Sequence, residues 1–148
     1  MIPTEWLTSG SNGTHSIRKV TDDGHFLLLD DGSLWKSEDE SESDGWSKGD
    51  EVFVHGDTII NLSQSSEKIE ASCEERACSL IAESYVKGSF EGSTKPIILD
   101  NGMIFEASNY HYYYSYRPEA TVLVTRFRGV ALYKVIVDDE IYDCRRLR

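Results

Sequence analysis

The sequence predicts a mainly β protein made of two tandem small β-barrels joined by one α-helix. Three observations predict it. The chain repeats itself at an offset of 70 residues. Each repeat strings short apolar runs between Asp-Gly or Asn-Gly turns. The stretch between the repeats instead carries apolar residues at helical spacing.

The repeat is the primary signal, because self-similarity at a fixed period reports architecture before any local propensity does. Its first copy runs Leu28-Leu29-Asp30-Asp31-Gly32-Ser33-Leu34-Trp35 and its second Ile98-Leu99-Asp100-Asn101-Gly102-Met103-Ile104-Phe105. The same offset, without a gap, pairs Trp46 with Tyr116 and Val52-Phe53-Val54 with Val122-Leu123-Val124. A pattern held in register from 28 to 54 indicates an internal duplication.

Residues 1–14, with Ser9-Gly10-Ser11-Asn12-Gly13, read as a loose leader. The first, acidic repeat spans 15–64. Ile17 to Val20 opens it, Phe26 to Leu29 makes a short strand, and Asp30-Asp31-Gly32 turns the chain. Asp and Asn tolerate positive φ and Gly adopts it freely, so these turns are strong hairpin signals. Leu34-Trp35 returns, Glu51 to His55 adds a strand, and Thr58 to Leu62 ends the copy. In 65–83, Ile69, Cys73, Ala77, Leu80 and Ile81 recur at spacings of three and four behind Ser66, a candidate N-cap. That spacing predicts the linker helix. The second, Tyr-rich repeat spans 84–148, opening at Tyr85 to Phe90 and ending with Val130 to Val137 and Ile141 to Cys144. Short strands at intervals near ten suggest barrels, and halves of about 60 residues sit near the lower limit for folding alone. An interface shared by the halves is therefore expected.

Composition excludes several classes. The 148 residues include 15 Lys plus Arg against 26 Asp plus Glu, a formal charge of −11, which repels phosphate backbones and argues against direct nucleic-acid binding. An apolar fraction of 39% suits a folded chain, and no apolar run reaches the ~18 residues of a membrane span. The first six residues, Met1-Ile2-Pro3-Thr4-Glu5-Trp6, have neither a basic start nor an apolar stretch. Three cysteines, Cys73, Cys78 and Cys144, form no Cys-x-x-Cys pair. Idle thiols of a reducing, cytoplasmic setting are the expectation, with no metal and no cofactor.

Charge is divided unevenly: residues 1–63 carry net −9, 64–83 net −3 and 84–148 net +1. The two copies should therefore bind different things.

The core of the first copy, with Asp30, Asp31, Gly32, Ser33, Trp35, Trp46, Gly49 and Asp50, resembles uncharacterised bacterial proteins carrying an LDDGS-x-W … W-x-x-GD-x-V pattern. The resemblance covers about 30 residues per copy and implies tandem SH3-like barrels without implying an activity. The second copy departs from it at Asn101, Met103, Phe105, Tyr116, Glu119 and Ala120.

Catalytic chemistry finds no local support. His15, His25, His55 and His111 lie in no metal or hydrolase motif, and no Gly-rich phosphate loop opens a helix. Turn formation accounts for Asp22-Asp23, Asp30-Asp31 and Asp138-Asp139. Glu40, Glu42, Asp44, Gly45 and Glu51 reproduce calcium-loop spacing, but a Glu at the first position, Lys48 at the ninth and strand-like flanks oppose it. The stretch Tyr110-His111-Tyr112-Tyr113-Tyr114-Ser115-Tyr116 is different in kind. As extended chain it places rings on both faces, and a barrel interior accepts only one. Tyr next to Arg is the composition of interface hot spots. Tyr110, Tyr112, Tyr113, Tyr114, Tyr116, Arg117 and Arg126, with Arg128 nearby, are thus the candidate binding residues for a protein partner. The alternative use of the rings is packing within the chain.

The expected function is a non-enzymatic protein-binding module acting through this aromatic loop. Two alternatives belong to other classes: an acidic decoy, in which Glu38 to Asp44 occupies a basic groove, and a small-ligand enzyme without a recognisable motif. A symmetric homodimer through strand edges or Tyr faces is also compatible with the sequence. The basic end, Cys144-Arg145-Arg146-Leu147-Arg148, reads as a strand terminus facing acidic surface.

Overall fold

A computed structural model describes residues 12–21, 25–38, 43, 45–91, 96–109, 114–138 and 140–148, and among these the regular structure is β. The chain divides into two compact units, Met1–Ala77 and Cys78–Arg148.

The first unit is a closed six-stranded barrel. Its strands are β1 (Gly13–Val20), β2 (Phe26–Leu29), β3 (Leu34–Ser37), β4 (Glu51–His55), β5 (Thr58–Asn61) and β6 (Glu67–Glu75), in the order β1-β2-β3-β6-β5-β4. Closure depends on β1, whose first half pairs with β4 and whose second half pairs with β2. A register shift between Ile17 and Lys19 marks the crossing, as bulges do where strands bend at barrel corners. Alternation builds the interior: in β4, Val52 and Val54 point inward while Glu51, Phe53 and His55 face out. The core gathers Ile17, Leu27, Leu29, Trp35, Trp46, Val52, Val54, Ile59, Ile69 and Ala71. Because β1 opens at Gly13, the barrel begins inside the expected leader, of which residues 1–11 lie outside the described residues.

The expected helix at 65–83 is absent. Its residues form β6 and the next strand, β7 (Ser79–Tyr85). Positions i and i+4 share a face in a strand as well as in a helix, so Ile69 and Cys73 did not discriminate between them. Ala71, two residues on, does: it is buried with Ile69 while Lys68, Glu70 and Ser72 are exposed. Ser66, the supposed cap, has φ +57 beside Ser65 at φ +53. That left-handed pair turns the chain so that β6 pairs with β5, Ile59 opposite Ile69. The barrel needs a strand between β5 and β3, and this tertiary demand overrides the Glu and Ala helix propensity.

The second unit contains β7, β8 (Ser89–Glu91), β9 (Ile97–Ile98), β10 (Ile104–Ala107), β11 (Tyr114–Tyr116), β12 (Glu119–Phe127), β13 (Val130–Val137) and β14 (Glu140–Arg146). Six of them form a sheet in the order β7-β12-β13-β14-β10-β9, while β8 and β11 pair separately. The outer strands approach each other through a Val86–Leu99 bridge, Lys87 N–H to Ile98 O at 2.8 Å and Asp100 N–H to Tyr85 O at 2.9 Å. Its core includes Phe90, Phe105, Val122, Val135 and Tyr142, with Phe90 edge-on to Tyr142 at 5.4 Å.

The two units match at the repeat turn. Gly32 N–H donates to Leu29 O and Gly102 N–H to Leu99 O, both at 3.0 Å. The glycines have φ +86 and +92. Asp31 Oδ1 accepts from Ser33 N–H and Asn101 Oδ1 from Met103 N–H, again both at 3.0 Å. The strand orders match as well, β1, β4, β5, β6, β3 and β2 corresponding to β7, β12, β13, β14, β10 and β9.

Immediately before β4, Asp50 Oδ2 accepts from Ser47 N–H at 3.0 Å, Asn61 Nδ2 at 2.9 Å and Gln64 Nε2 at 3.0 Å. Partial burial raises this carboxyl, but the three hydrogen bonds together outweigh it and hold the group below its ordinary value. A depressed carboxylate stabilises the fold above its unfolded pKa, and that contribution is lost as pH falls through the folded value. Acid titration of unfolding should therefore show stability falling below about pH 4, and Asp50→Asn should flatten that limb. A second expectation separates strand from helix. Ile69→Ala should cost about 2–5 kcal/mol in chemical denaturation. Ile81→Ala, at a residue 43% exposed, should cost under ~1 kcal/mol.

Candidate functional site

The β12–β13 hairpin outgrows its neighbours. β7 accompanies β12 only as far as Val124, so Thr125 to Phe127 and their partners continue as a two-stranded arm. Arg128 (φ +52) and Gly129 (φ +80) form its two-residue loop, the doubly positive backbone that tight hairpins favour. β14 ends beside this arm, since Tyr133 lies opposite Cys144 and Arg146 follows two residues on.

Alternation then sorts the side chains. Along β12, Val122 is in the core and Arg126 follows on the same face, across from Ala131. Along β14, Tyr142 is in the core and Arg146 follows it on the same face, across from Phe105. The row that fills the core thus runs out into arginines once the core is full. Ala131, Tyr133, Arg145, Arg146, Leu147 and Arg148 line a groove of about 450 Å³ there. On the opposite face of the arm, Phe127, Val130 and Leu132 are exposed at 61%, 59% and 44%.

Electrostatics favours an anion at this end. Arg145 pairs with Glu106 at 2.9 Å. Arg126, Arg128, Arg146 and Arg148 have no carboxylate partner among the described residues. Arg128 instead lies 5.2 Å from the Phe127 ring centre and Arg146 5.9 Å from that of Tyr133. Stacked guanidiniums keep their N–H edges available for carboxylate or phosphate oxygens.

Among the described residues, the structure sets Arg126 apart from Tyr114, Tyr116 and Arg117. Tyr110, Tyr112 and Tyr113 lie outside the described residues. Tyr114 and Tyr116 share the exposed face of β11, and Ser115 between them pairs with buried Phe90 of β8. Arg117, at φ +49, is tied down: its side chain pairs with Asp100 and its N–H donates to Gly88 O at 2.8 Å. Arg126 stands near the far end of β12, seven residues and roughly 23 Å along the strand from its first residue, Glu119. Arg126 lies across from the groove residue Ala131, while Arg128 sits in the hairpin loop against Phe127. Sequence reasoning missed Tyr133 and Arg146 because their meeting depends on β13–β14 register; the basic C-terminal run was the available signal. Of the calcium-like spacing, Glu40, Glu42 and Asp44 lie outside the described residues, while Glu51 belongs to β4.

Cys144 borders this region, half-buried in β14. Burial, then the neighbouring Asp143 carboxylate, pushes its thiol up to about 12. The three cysteines form no disulfide, and no helix among the described residues is long and apolar enough to cross a membrane.

No family model, curated protein or solved structure matches this chain.

A thiol held near 12 has almost no thiolate at pH 8. Iodoacetamide should accordingly modify Cys144 at least tenfold more slowly in the native protein than in the unfolded chain, as followed by peptide mass spectrometry.

Proposed function

We propose that this protein is a non-enzymatic binding module of two tandem SH3-like small barrels that arose by internal duplication. Its second unit takes an acidic segment of a protein partner on the arginine-rich end. The observation that supports this most is the groove that Arg145, Arg146 and Arg148 line with half-buried Tyr133, next to Arg126 on the same face of the arm across from Ala131. Arginine beside aromatic and aliphatic surface is the composition that protein interfaces concentrate. A long nucleic-acid strand suits it less well. The chain carries a net charge of −11, which disfavours association with an extended polyanion. A peptide segment brings its few carboxylates only to the groove. Tyr114 and Tyr116 offer a second contact face, and the cytoplasm is the compartment we assign.

The test is fluorescence anisotropy with a labelled dodecapeptide rich in Asp and Glu around one aromatic residue. Binding should weaken steeply as salt rises from 50 to 300 mM, because rim charges are screened. Arg126→Glu with Arg146→Glu should lower affinity at least tenfold with unchanged thermal unfolding, while Tyr114→Ser with Tyr116→Ser should leave this peptide's affinity within twofold. An unchanged affinity in the arginine double variant sinks the reading.

A further inference from the structure

The Asp30-Asp31-Gly32 turn holds more chemistry than a turn requires. Asp31 Oδ1 performs the turn's work, accepting Ser33 N–H at 3.0 Å and the Ser33 hydroxyl at 2.6 Å. Ser33 Oγ in turn accepts the buried Trp35 indole N–H at 2.9 Å, so the carboxylate is oriented from behind. In the second unit Asn101 builds the same turn with one carbonyl oxygen and one 3.0 Å hydrogen bond. The turn itself therefore does not require the second oxygen of Asp31. It faces an imidazole: Asp31 Oδ2 lies 3.9 Å from His15 Nε2.

His15 is prepared for that encounter. Its ring comes from β1, and Nδ1 lies 2.7 Å from Asp30 Oδ1. With Nδ1 donating to that carboxylate oxygen, the imidazole tautomer that results presents its lone pair on Nε2. That Nε2 is buried and has no hydrogen-bond partner among the described residues. The equivalent of this pair is missing from the second unit, where Asp100 is engaged by Arg117.

A separation of 3.9 Å is too long for a hydrogen bond, yet it suits two ligands of one ion. Zinc–nitrogen and zinc–oxygen bonds of ~2.0–2.2 Å place tetrahedral ligands roughly 3.4 Å apart, which a small rotation of Asp31 supplies. A carboxylate behind the imidazole, here Asp30, is the usual outer partner of a metal-bound histidine. The ligand atoms of His15, Asp30 and Asp31 all lie within 4.8 Å of one another. We propose that His15 Nε2 and Asp31 Oδ2, with Asp30 orienting the ring, bind one divalent transition-metal ion of borderline softness, Zn²⁺ in particular. One nitrogen and one carboxylate favour Zn²⁺ over Mg²⁺ or Ca²⁺, which prefer all-oxygen shells. The ion would tie β1 to the β2–β3 turn at the point where the barrel closes.

The experiment titrates the full chain with ZnCl₂. It reads the imidazole Cε1–H and Cδ2–H signals by ¹H–¹³C NMR and the affinity by competition with a chromophoric chelator. The His15 signals, assigned with His15→Gln, should shift on Zn²⁺ addition and stay unmoved at equal Mg²⁺. Asp31→Asn keeps the turn oxygen that Asn101 provides in the second unit and should fold like wild type, yet bind Zn²⁺ at least tenfold more weakly. Asp30→Asn should lose about 10–100-fold through the misoriented ring. Zn²⁺ shifting only His25, His55 or His111 overturns the proposal. So does a well-folded Asp31→Asn that binds as tightly as wild type.

Discussion

Two-sided pairing of β1 is the constraint on which the first unit rests. A sheet of six short strands has two raw edges, and unpaired backbone N–H and C=O groups there are costly when buried and adhesive when exposed. β1 removes both edges by giving its first half to β4 and its second half to β2. The bulge between Ile17 and Lys19 makes this feasible, because it changes the strand's direction without losing the inward position of Ile17. The turn that follows β2 then has to return the chain within three residues. Gly32 at φ +86 and the Asp31 side chain supply that reversal, and Trp35 enters the core directly after it.

The second unit keeps the same turn and the same strand order, but its strands are used differently. β12 and β13 are nine and eight residues long, against five and four for β4 and β5. The extra length has no neighbouring strand to cover it, and it carries the arginines and exposed apolar residues outward. Charge follows the same division. The first unit holds 17 acidic and 6 basic residues, whereas the second holds nine of each and concentrates its arginines at one end. The two units thus share a turn and a strand order while differing in surface chemistry.

Local signals carried most of the strand pattern. The Asp-Gly and Asn-Gly turns and the alternation of Val52 and Val54 were legible because each depends on residues close in sequence, and the 70-residue offset because it is a comparison of the sequence with itself. The stretch from Glu67 to Ala82 misled for a definable reason. Its apolar residues at i and i+4 satisfy both periods, and Glu and Ala favour helix on their own. Ala71 and the positive φ of Ser65, Ser66 and Ala77 were the discriminating features, and only the first of these is visible as a residue choice. The candidate site was half legible. Exposed Tyr114 and Tyr116 agree with a stretch having rings on an outward face, but Arg117 is held by Asp100 and Arg126 lies at the other end of its strand.

The sequence by itself determined a β-rich chain with repeated turns, a charge-divided pair of units and the absence of local catalytic motifs. Those properties follow from short-range chemistry: side-chain period, turn geometry and counted charge. Tertiary structure alone decided that residues 67–75 close a barrel, that Tyr133 meets Arg146, and that His15 reaches the far side of Asp31. Each of these depends on strand register: Ser37 meets Ala71 across 34 positions, Tyr133 meets Arg146 across 13, and His15 meets Asp31 across 16. Register is set by the whole sheet's hydrogen bonding and burial, and no window of sequence contains it.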